Sequence, residues 1–564
     1  MMTTKLRRAF LAVLDGIIIY LSYFAAVLLR FSGNINGETS VKYLNNLQSI
    51  IWFYAIIGVI FLLGAGFYKK SSAQANIVEL VDIIIAVSLS SIMHFILPYL
   101  FIDFSGYFLP RSILAIAYFI QIIAIGGIRL VWRILTDKEL KKSILRKQYK
   151  KIPFSPPDIS DAEIEEVVKA MKSGWITTGP RTKLLEQKIA EYIGVKTAVC
   201  LNSATSSMEL VLRILGIGPG DEVITSAYTY TASASVIDHV GAKIVLIDVA
   251  PDTYEMDYSK LADAITEKTK VIIPVDIAGR MCDYEIIYKV VESKKHLFKA
   301  DNEIQEIFNR VVVMADAAHA FGAQQKGKKC GQVADFTCFS FHAVKNLTTA
   351  EGGAVVWRND LGLDDEWLYQ QFMLYSLHGQ SKDALAKTKI GAWEYDIVHL
   401  GYKCNMTDIL ASFGLMQLNR YDWMLERRKE ITELYDKILL PLGIERLQHY
   451  GEDFTSTRHL YLARIPGAGE AERNEIIVKM AEAGVACNVH YKPLPMFTAY
   501  KNLGFDIKNY PNAYDMYKNE ITLPLHTLLR DEDVEYVCMC LARVVNDVMK
   551  AESAMEEAAA VKVG

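Results

Sequence analysis

The sequence predicts an α-helical membrane bundle of four spans, then an α/β domain with a mostly parallel central sheet, then a small C-terminal α+β domain. Three observations carry this. Four apolar stretches lie within the first 134 positions, short β-rich runs alternate with helical patterns from about 197 to 358, and the charge divides between the two parts. Residues 1–150 hold 16 Lys/Arg against 7 Asp/Glu, and the remainder of the 564 residues holds 45 against 58, so the overall −4 describes neither part. At 51% hydrophobic, with only 34 Gly and 15 Pro, disorder and collagen-like structure are excluded. The length exceeds one ordinary core.

Residues 9–30 are apolar except for Asp15 and Arg30, and further apolar stretches follow at about 49–68, 79–101 and 107–133. Each is near the ~20 residues that cross a hydrocarbon core at helical rise. A signal peptide is a poor alternative, because no small-residue cleavage site follows the first stretch. Lys5, Arg7, Arg8, Lys69, Lys70 and a run from Arg133 to Lys151 flank one side, against Arg30, Lys42 and Arg111 on the other. That bias places both termini in the cytoplasm, at the inner membrane. The run beside the last span favours anionic lipid headgroups over nucleic acid. Of the ionisable groups in the spans, Asp15, Glu79, Asp82 and Arg129 sit near ends. His94 lies deeper, where an interhelical hydrogen bond is expected rather than a proton relay.

Residues 135–152 form a basic juxtamembrane linker closed by the prolines of Ile-Pro-Phe-Ser-Pro-Pro (152–157). Ser160 to Glu163 is a capping box that opens a helix to about Lys172. Strands are expected at 197–201, 222–226, 243–248, 270–276, 310–316, 336–341 and 353–358, with helices such as 205–215 and 257–266 between them. Residues 284–310 read as a surface elaboration. A long helix is expected over 417–439, then a strand at 459–465. The resulting domains are 1–134 (membrane), 153–420 (large), 421–550 (small) and a tail, 551–564. The eight cysteines, all at or after Cys200 and none in a C-x-x-C pair, read as reduced packing thiols.

Four features of the large domain bear chemistry. Asn202 to Ser207, small and hydroxylated between a strand and a helix, offers N–H groups to a phosphate, although ordinary N-capping also explains it. Asp316 and His319 stand at the C-terminal end of an apolar strand, where open α/β sheets bind ligands. Ser340 and Lys345 follow the next strand. A desolvated lysine there loses its proton readily and becomes a carbonyl nucleophile. Tyr230, after strand 222–226, is an aromatic able to cover a flat ring. A phosphate cradle, an acid for a pyridine nitrogen, an imine-forming lysine and a stacking aromatic together are what pyridoxal 5'-phosphate requires. No P-loop or dinucleotide fingerprint is present, and neither H-E-x-x-H nor a Cys/His cluster supports a metal.

In order along the chain stand GWITTGPRTKLLEQ (174–187), NSATSS, MADAAHAFGA (314–323), SFHAVKNLTTAEGGA (340–354), LGYKCNMTDILASFGLMQL (400–418) and NVHYKPLP (488–495). Through these motifs residues 152–546 resemble the DegT/DnrJ/EryC1/StrS sugar aminotransferases, fold-type I pyridoxal-phosphate enzymes. The likeness is nearest to the branch that aminates 4-keto sugars of UDP-nucleotides. The N-terminal segment resembles the membrane region of nucleotide-sugar dehydratases of polysaccharide synthesis.

The resemblance implies a nucleotide-sugar aminotransferase that uses glutamate as donor and a UDP-linked 4-keto-6-deoxy sugar as acceptor. It implies Lys345 as the cofactor-bonding lysine and proton carrier, Asp316 at the pyridine nitrogen, His319 beside the ring hydroxyl and Tyr230 over the ring. Thr205, Ser206 and Ser340 would hold the phosphate. Asn405 would reach the phosphate from a second subunit, making the unit a homodimer. His490 is a candidate on the sugar side, as is His342, for which packing is an equal explanation. Where the family often reads Pro-Val-His before Ala-Gly, this chain has Asp276, which bears on substrate or donor recognition. Some relatives carry histidine in place of the lysine and dehydrate; Lys345 argues against that activity here. The complete Lys345, Asp316 and Ser340 set argues against a membrane scaffold with a degenerate site.

Overall fold

The computed structural model describes residues 4–33, 37–65, 77–100, 108–136, 151–382 and 394–563. Side chains of 4–9, 77–81, 129–136 and 551–563 are outside the description, as is most of the basic linker. The chain forms two compact units, Met1–Tyr149 and Lys150–Gly564.

The first unit contains α1 (Thr4–Arg30), α2 (Glu38–Gly64), α3 (Ile77–Leu100) and α4 (Arg111–Thr136). All four are long and apolar enough to cross a membrane. The second starts at Glu38, well before the expected 49, because the polar turn 38–48 continues the helix and buries Ser40 and Leu47. Helix α1 packs on α2 and α4, and α3 packs on the same two. Large apolar side chains such as Trp52 and Ile123 face outward. The interior is not wholly apolar. His94 is fully buried; its Nδ1 bonds the Tyr23 hydroxyl (2.7 Å) and its Nε2 the Tyr54 carbonyl (2.9 Å), which ties α3 to α1 and α2. Gln121 on α4 donates to Ser22 on α1 (2.9 Å).

In the second unit all seven expected strands form one sheet. They are β1 (Ala198–Leu201), β2 (Glu222–Ser226), β3 (Lys243–Ile247), β4 (Thr269–Ile273), β5 (Val312–Asp316), β6 (Phe336–Ser340) and β7 (Gly353–Trp357). Their spatial order is β1-β7-β6-β5-β4-β2-β3, parallel except that β7 runs against both neighbours. The pairing of β4 with β2 stops at Ile273, where Pro274 has no N–H to continue it, while Val275 still bridges Asp316 on the other side. Apart from edge strand β3, where Lys243 is exposed and Val245 half-buried, the strands are buried almost throughout on both faces, as crossover helices require. A second, antiparallel sheet joins β8 (Glu445–Arg446), β9 (Tyr461–Arg464) and β10 (Glu520–Leu523). The core around it takes in Tyr435, Tyr461, Ile476 and Leu541.

Two expectations need correction. Residues 284–310 are not a surface elaboration: they hold helices Tyr284–Ser293 and Glu303–Phe308, and Tyr284, Ile287 and Val291 enter the core. The helix expected over 417–439 is two helices, Asp408–Asn419 and Tyr421–Leu439. It breaks at Arg420, whose guanidinium bonds Asp158 (3.0 Å) and Glu163 (2.7 Å). The Ser160/Glu163 capping box is present, and all eight cysteines are free thiols.

One glycine positions the site. Gly353 is paired with Leu201 on one side and Ser340 on the other. A Cβ there would overlap the backbone of Ser203 and Ala204, where helix α5 (Ala204–Ile214) begins. The missing side chain lets the helix N-terminus sit against the sheet. Gly353→Ala is therefore expected to cost about 1–3 kcal/mol in denaturant unfolding and to weaken cofactor retention, measured by equilibrium dialysis.

Candidate active site

A cavity of about 400 Å³ opens at the C-terminal strand ends of the large sheet. Its floor carries Asp316, the last residue of β5, which is 5% exposed. Asp316 accepts from the Ser233 hydroxyl (2.6 Å) and the Ala318 N–H (3.2 Å). Burial raises its pKa, while those two bonds and the Lys345 charge oppose the rise. Lys345 faces the same cavity from the turn after β6. Burial lowers its amine to about 8, with the negative charge of Asp316 acting the other way.

Helix α5 points its N-terminus at the cavity, which Ser203, Ala204 and Thr205 line. Ser203 is the N-cap and accepts from the Ser206 N–H (3.1 Å). The Ser207 N–H meets the Ser203 carbonyl (3.1 Å), so the Ala204 and Thr205 N–H groups stand in the unladdered first turn. Ser206 turns its hydroxyl to Asn202 (2.8 Å) and is not part of the lining. Ser340 and His342 line the cavity, and His342 has Glu351 at 3.7 Å.

Tyr230 lies at the mouth, 59% exposed, its ring 5.9 Å from that of Tyr491. His319 is buried beneath. Its Nδ1 accepts from the Ala278 N–H (3.1 Å), so its proton is on Nε2, which meets the Tyr491 hydroxyl (3.1 Å). Burial pushes its pKa well below the usual histidine value, so the ring is neutral. His490 also lines the cavity, with Phe154 stacked on it (5.6 Å). Asn405 lies outside the lining of this chain's cavity. It bridges to Leu201 and donates to the Thr178 hydroxyl (2.5 Å).

Residues 157–542 match the DegT/DnrJ/EryC1/StrS aminotransferase family. The chain belongs to that family. It is similar to a candidate sugar aminotransferase of Streptococcus pneumoniae, solved in a pyridoxal-phosphate form. The identity is 56% over 71% of this chain and 100% of that one, with a TM-score of 0.69. The spore coat polysaccharide biosynthesis protein SpsC of Bacillus subtilis is 36% identical over 71% of this chain and 97% of its own length. The UDP-4-amino-4-deoxy-L-arabinose–oxoglutarate aminotransferase of Shewanella sediminis is 33% identical over 70% and 98%.

The family depends on pyridoxal phosphate, and the cavity fits it. An α-helix N-terminus suits the phosphate, a buried carboxylate suits a protonated ring nitrogen, and a lysine amine depressed toward neutrality suits imine formation. Among the described residues no cluster of His, Cys, Asp and Glu is arranged to hold a metal ion.

Asp276 itself lines the cavity. Its carboxylate accepts from the Cys282 N–H (2.8 Å) and the Tyr284 hydroxyl (3.0 Å), with Cys330 Sγ at 3.4 Å, and none of these lines the cavity. The carboxylate is thus bonded from the core behind the site, and burial lifts its pKa to about 7. Its main chain still contacts the site, since the Asp276 N–H donates to the Asp316 carbonyl (3.0 Å).

The sequence did not single out several lining or supporting residues, among them Ser233, Ser203, Phe154 and Tyr491. Ser233 lies one helical turn after Tyr230 in the same motif, and that spacing was the available signal. Ser203 was inside the hydroxylated run as its N-cap. Tyr491 stands beside His490 in NVHYKPLP, and that adjacency was its signal; Phe154 gave none, because what places it is contact with distant chain.

The Lys345 environment fixes a pH dependence. The amine is protonated below about pH 8 and free above it. Covalent capture of added pyridoxal phosphate by the cofactor-free protein should therefore accelerate through that pH, followed by stopped-flow absorbance. Asp316→Asn removes the charge that favours the protonated amine, so its midpoint should fall below that of the wild type.

Proposed function

We propose that this protein is a membrane-anchored aminotransferase moving the amino group of glutamate onto a UDP-linked 4-keto-6-deoxy sugar in bacterial polysaccharide biosynthesis. The observation that carries the reading is the meeting of Lys345 and Asp316 in one cavity at the N-terminus of α5. Similarity to proteins named for polysaccharide biosynthesis and for a UDP-4-amino sugar supports the sugar class.

When bound, pyridoxal phosphate supplies an electron sink that lets an amino group leave one carbon and join another. Asp316 holds the proton on the pyridine nitrogen. Its burial keeps water from competing, and Ser233 fixes the direction of its carboxylate. Lys345 takes the α-proton of the donor through Nζ and later returns a proton to the carbon being aminated. Thr205 and Ser340, with Asn405 from the second subunit of a homodimer, would hold the phosphate, joined by Ser206 once its hydroxyl turns from Asn202. Tyr230 would cover the ring, and the neutral His319 would sit by the ring hydroxyl. His490 and His342 face the sugar side.

In the same reading, residues 1–134 anchor the chain in the inner membrane with the N-terminus and catalytic part in the cytoplasm. Residues 135–152 lie along anionic headgroups, 153–420 and 421–550 form the large and small catalytic domains, and 551–564 form a tail.

The test is a panel of UDP- and dTDP-linked keto sugars incubated with glutamate and the full-length protein, read by product mass. Amination of a UDP-4-keto-6-deoxy sugar is expected, with a visible cofactor band that glutamate bleaches. Lys345→Ala should lack both band and product. An intact protein without the band, or without an aminated sugar, sinks the reading. The full-length chain should sediment with membranes, whereas deletion of 1–134 should release an active soluble enzyme.

A further inference from the structure

His490 is held by several contacts, among them the Tyr228 hydroxyl donating to its carbonyl (3.0 Å). Phe154 stacks on its ring face, its N–H on the main chain donates to Glu520 Oε2 (3.0 Å), and its Nδ1 lies 2.9 Å from the Thr522 hydroxyl. Thr522 Oγ1 is in turn 2.6 Å from Glu520 Oε1. Glu520 and Thr522 stand on the same face of β10, two residues apart, and both are fully buried. Nothing in the sequence near His490 signals this pair, which lies thirty residues on.

The hydroxyl of Thr522 has one proton, so it donates to only one of these two partners. If Glu520 is ionised, the hydroxyl donates to the carboxylate and accepts from Nδ1–H. His490 then presents a bare Nε2. If Glu520 carries a proton on Oε1, that proton goes to Thr522 and the hydroxyl donates to Nδ1. His490 then carries its proton on Nε2. Both arrangements satisfy every bond in the chain; they differ by the proton on Glu520 and, at the site, in what the imidazole offers.

We propose that Glu520 and Thr522 are positioning residues that set the tautomer of His490, and with it whether His490 offers the substrate a hydrogen-bond donor or an acceptor. The proposal rests on the aminotransferase reading of the cavity. In the donor form His490 suits an acceptor-only oxygen: a carboxylate of the amino donor, or a carbonyl or diphosphate oxygen of the sugar nucleotide.

The surroundings favour the donor form at neutral pH. Burial raises Glu520 to about 8, against its bonds from Thr522 and His490 and the charge of Arg473. Arg473 donates to the Glu520 carbonyl (3.2 Å), and Arg464 on the paired strand is engaged by Asn519 (3.1 Å) and Asp515 (3.3 Å). Tyr228, Tyr254 and Tyr491, all pushed up by burial, are neutral neighbours, as is the Cys487 thiol. Lys345, His319 and His459 face His490 from the cavity side. Burial drops His490 itself to about 3, with Lys345 adding to the fall, so the ring stays neutral throughout and only its tautomer is free to change.

The experiment uses the full chain in detergent with its cofactor, labelled with nitrogen-15 histidine, at pH values on either side of the Glu520 value. His490 signals are assigned by their loss in His490→Gln. In the wild type, Nε2–H should give way to Nδ1–H as pH rises through about 8. Over the same interval KM for either glutamate or the keto sugar should rise about tenfold, the scale of one mismatched buried hydrogen bond. Measuring both KM values tells which substrate meets His490. Glu520→Gln, whose amide donates to Thr522 permanently, should hold the Nε2–H form and the low-pH KM throughout. Thr522→Val should abolish the response, and Thr522→Ser should keep it. A His490 tautomer that does not change in the wild type, or still changes in Glu520→Gln, overturns the proposal. If the tautomer changes as expected but no keto sugar is aminated, the relay stands and the sugar reading falls.

Discussion

Burying the carboxylate of Asp316 at the end of β5 costs several kcal/mol unless other groups compensate it, and much of the catalytic unit is arranged around that requirement. Ser233 and the Ala318 N–H supply the hydrogen bonds, and Lys345 supplies the opposing charge. The same burial acts on both groups in opposite senses. It lifts the acid and depresses the amine, so each is drawn toward neutrality without either being made permanently neutral. A strand end is a suitable place for this balance, because the backbone of β5 is fixed on both sides by β4 and β6.

A second layer of polar groups holds the first. The Asp276 N–H fixes the Asp316 carbonyl, while the Asp276 carboxylate is consumed behind it by Tyr284 and Cys282. His319 spends one nitrogen on a backbone N–H and the other on Tyr491. His490 spends one nitrogen on Thr522. Three charged or aromatic positions that look interchangeable as a list of site residues therefore have different duties. Asp276 supports the main chain, His319 is a neutral donor of fixed tautomer, and His490 is a group whose tautomer depends on its partners. Removing a partner of such a network leaves a buried polar group unsatisfied, which costs more than the bond contributes.

Much of the architecture was legible from pattern alone. The four apolar stretches, the seven β-rich runs and the capping box at Ser160 each depend on residues close together in the chain, so local periodicity reports them. Arg420 shows where that reasoning stops. The run through it has helical periodicity, yet its guanidinium is drawn to Asp158 and Glu163, more than 250 residues away, and the helix divides there. Residues 284–310 fail for the same reason, because the burial of Tyr284 and Val291 depends on what packs over them. At the site, Lys345, Asp316 and His319 were legible as residue types at strand ends, whereas Phe154, Thr522 and Glu520 were not.

The sequence by itself determined the division into an apolar cationic part and an acidic catalytic part, the order of strands and helices, and the chemical types that a pyridoxal-phosphate site needs. Only the tertiary structure decided which partner each of those groups has. Ser233 reaches Asp316 across 83 residues, and Tyr491 reaches His319 across 172. Proton positions, tautomers and depressed or raised pKa values follow from burial and from contacts of that kind. Those are properties of packing, which neighbours in the chain do not encode.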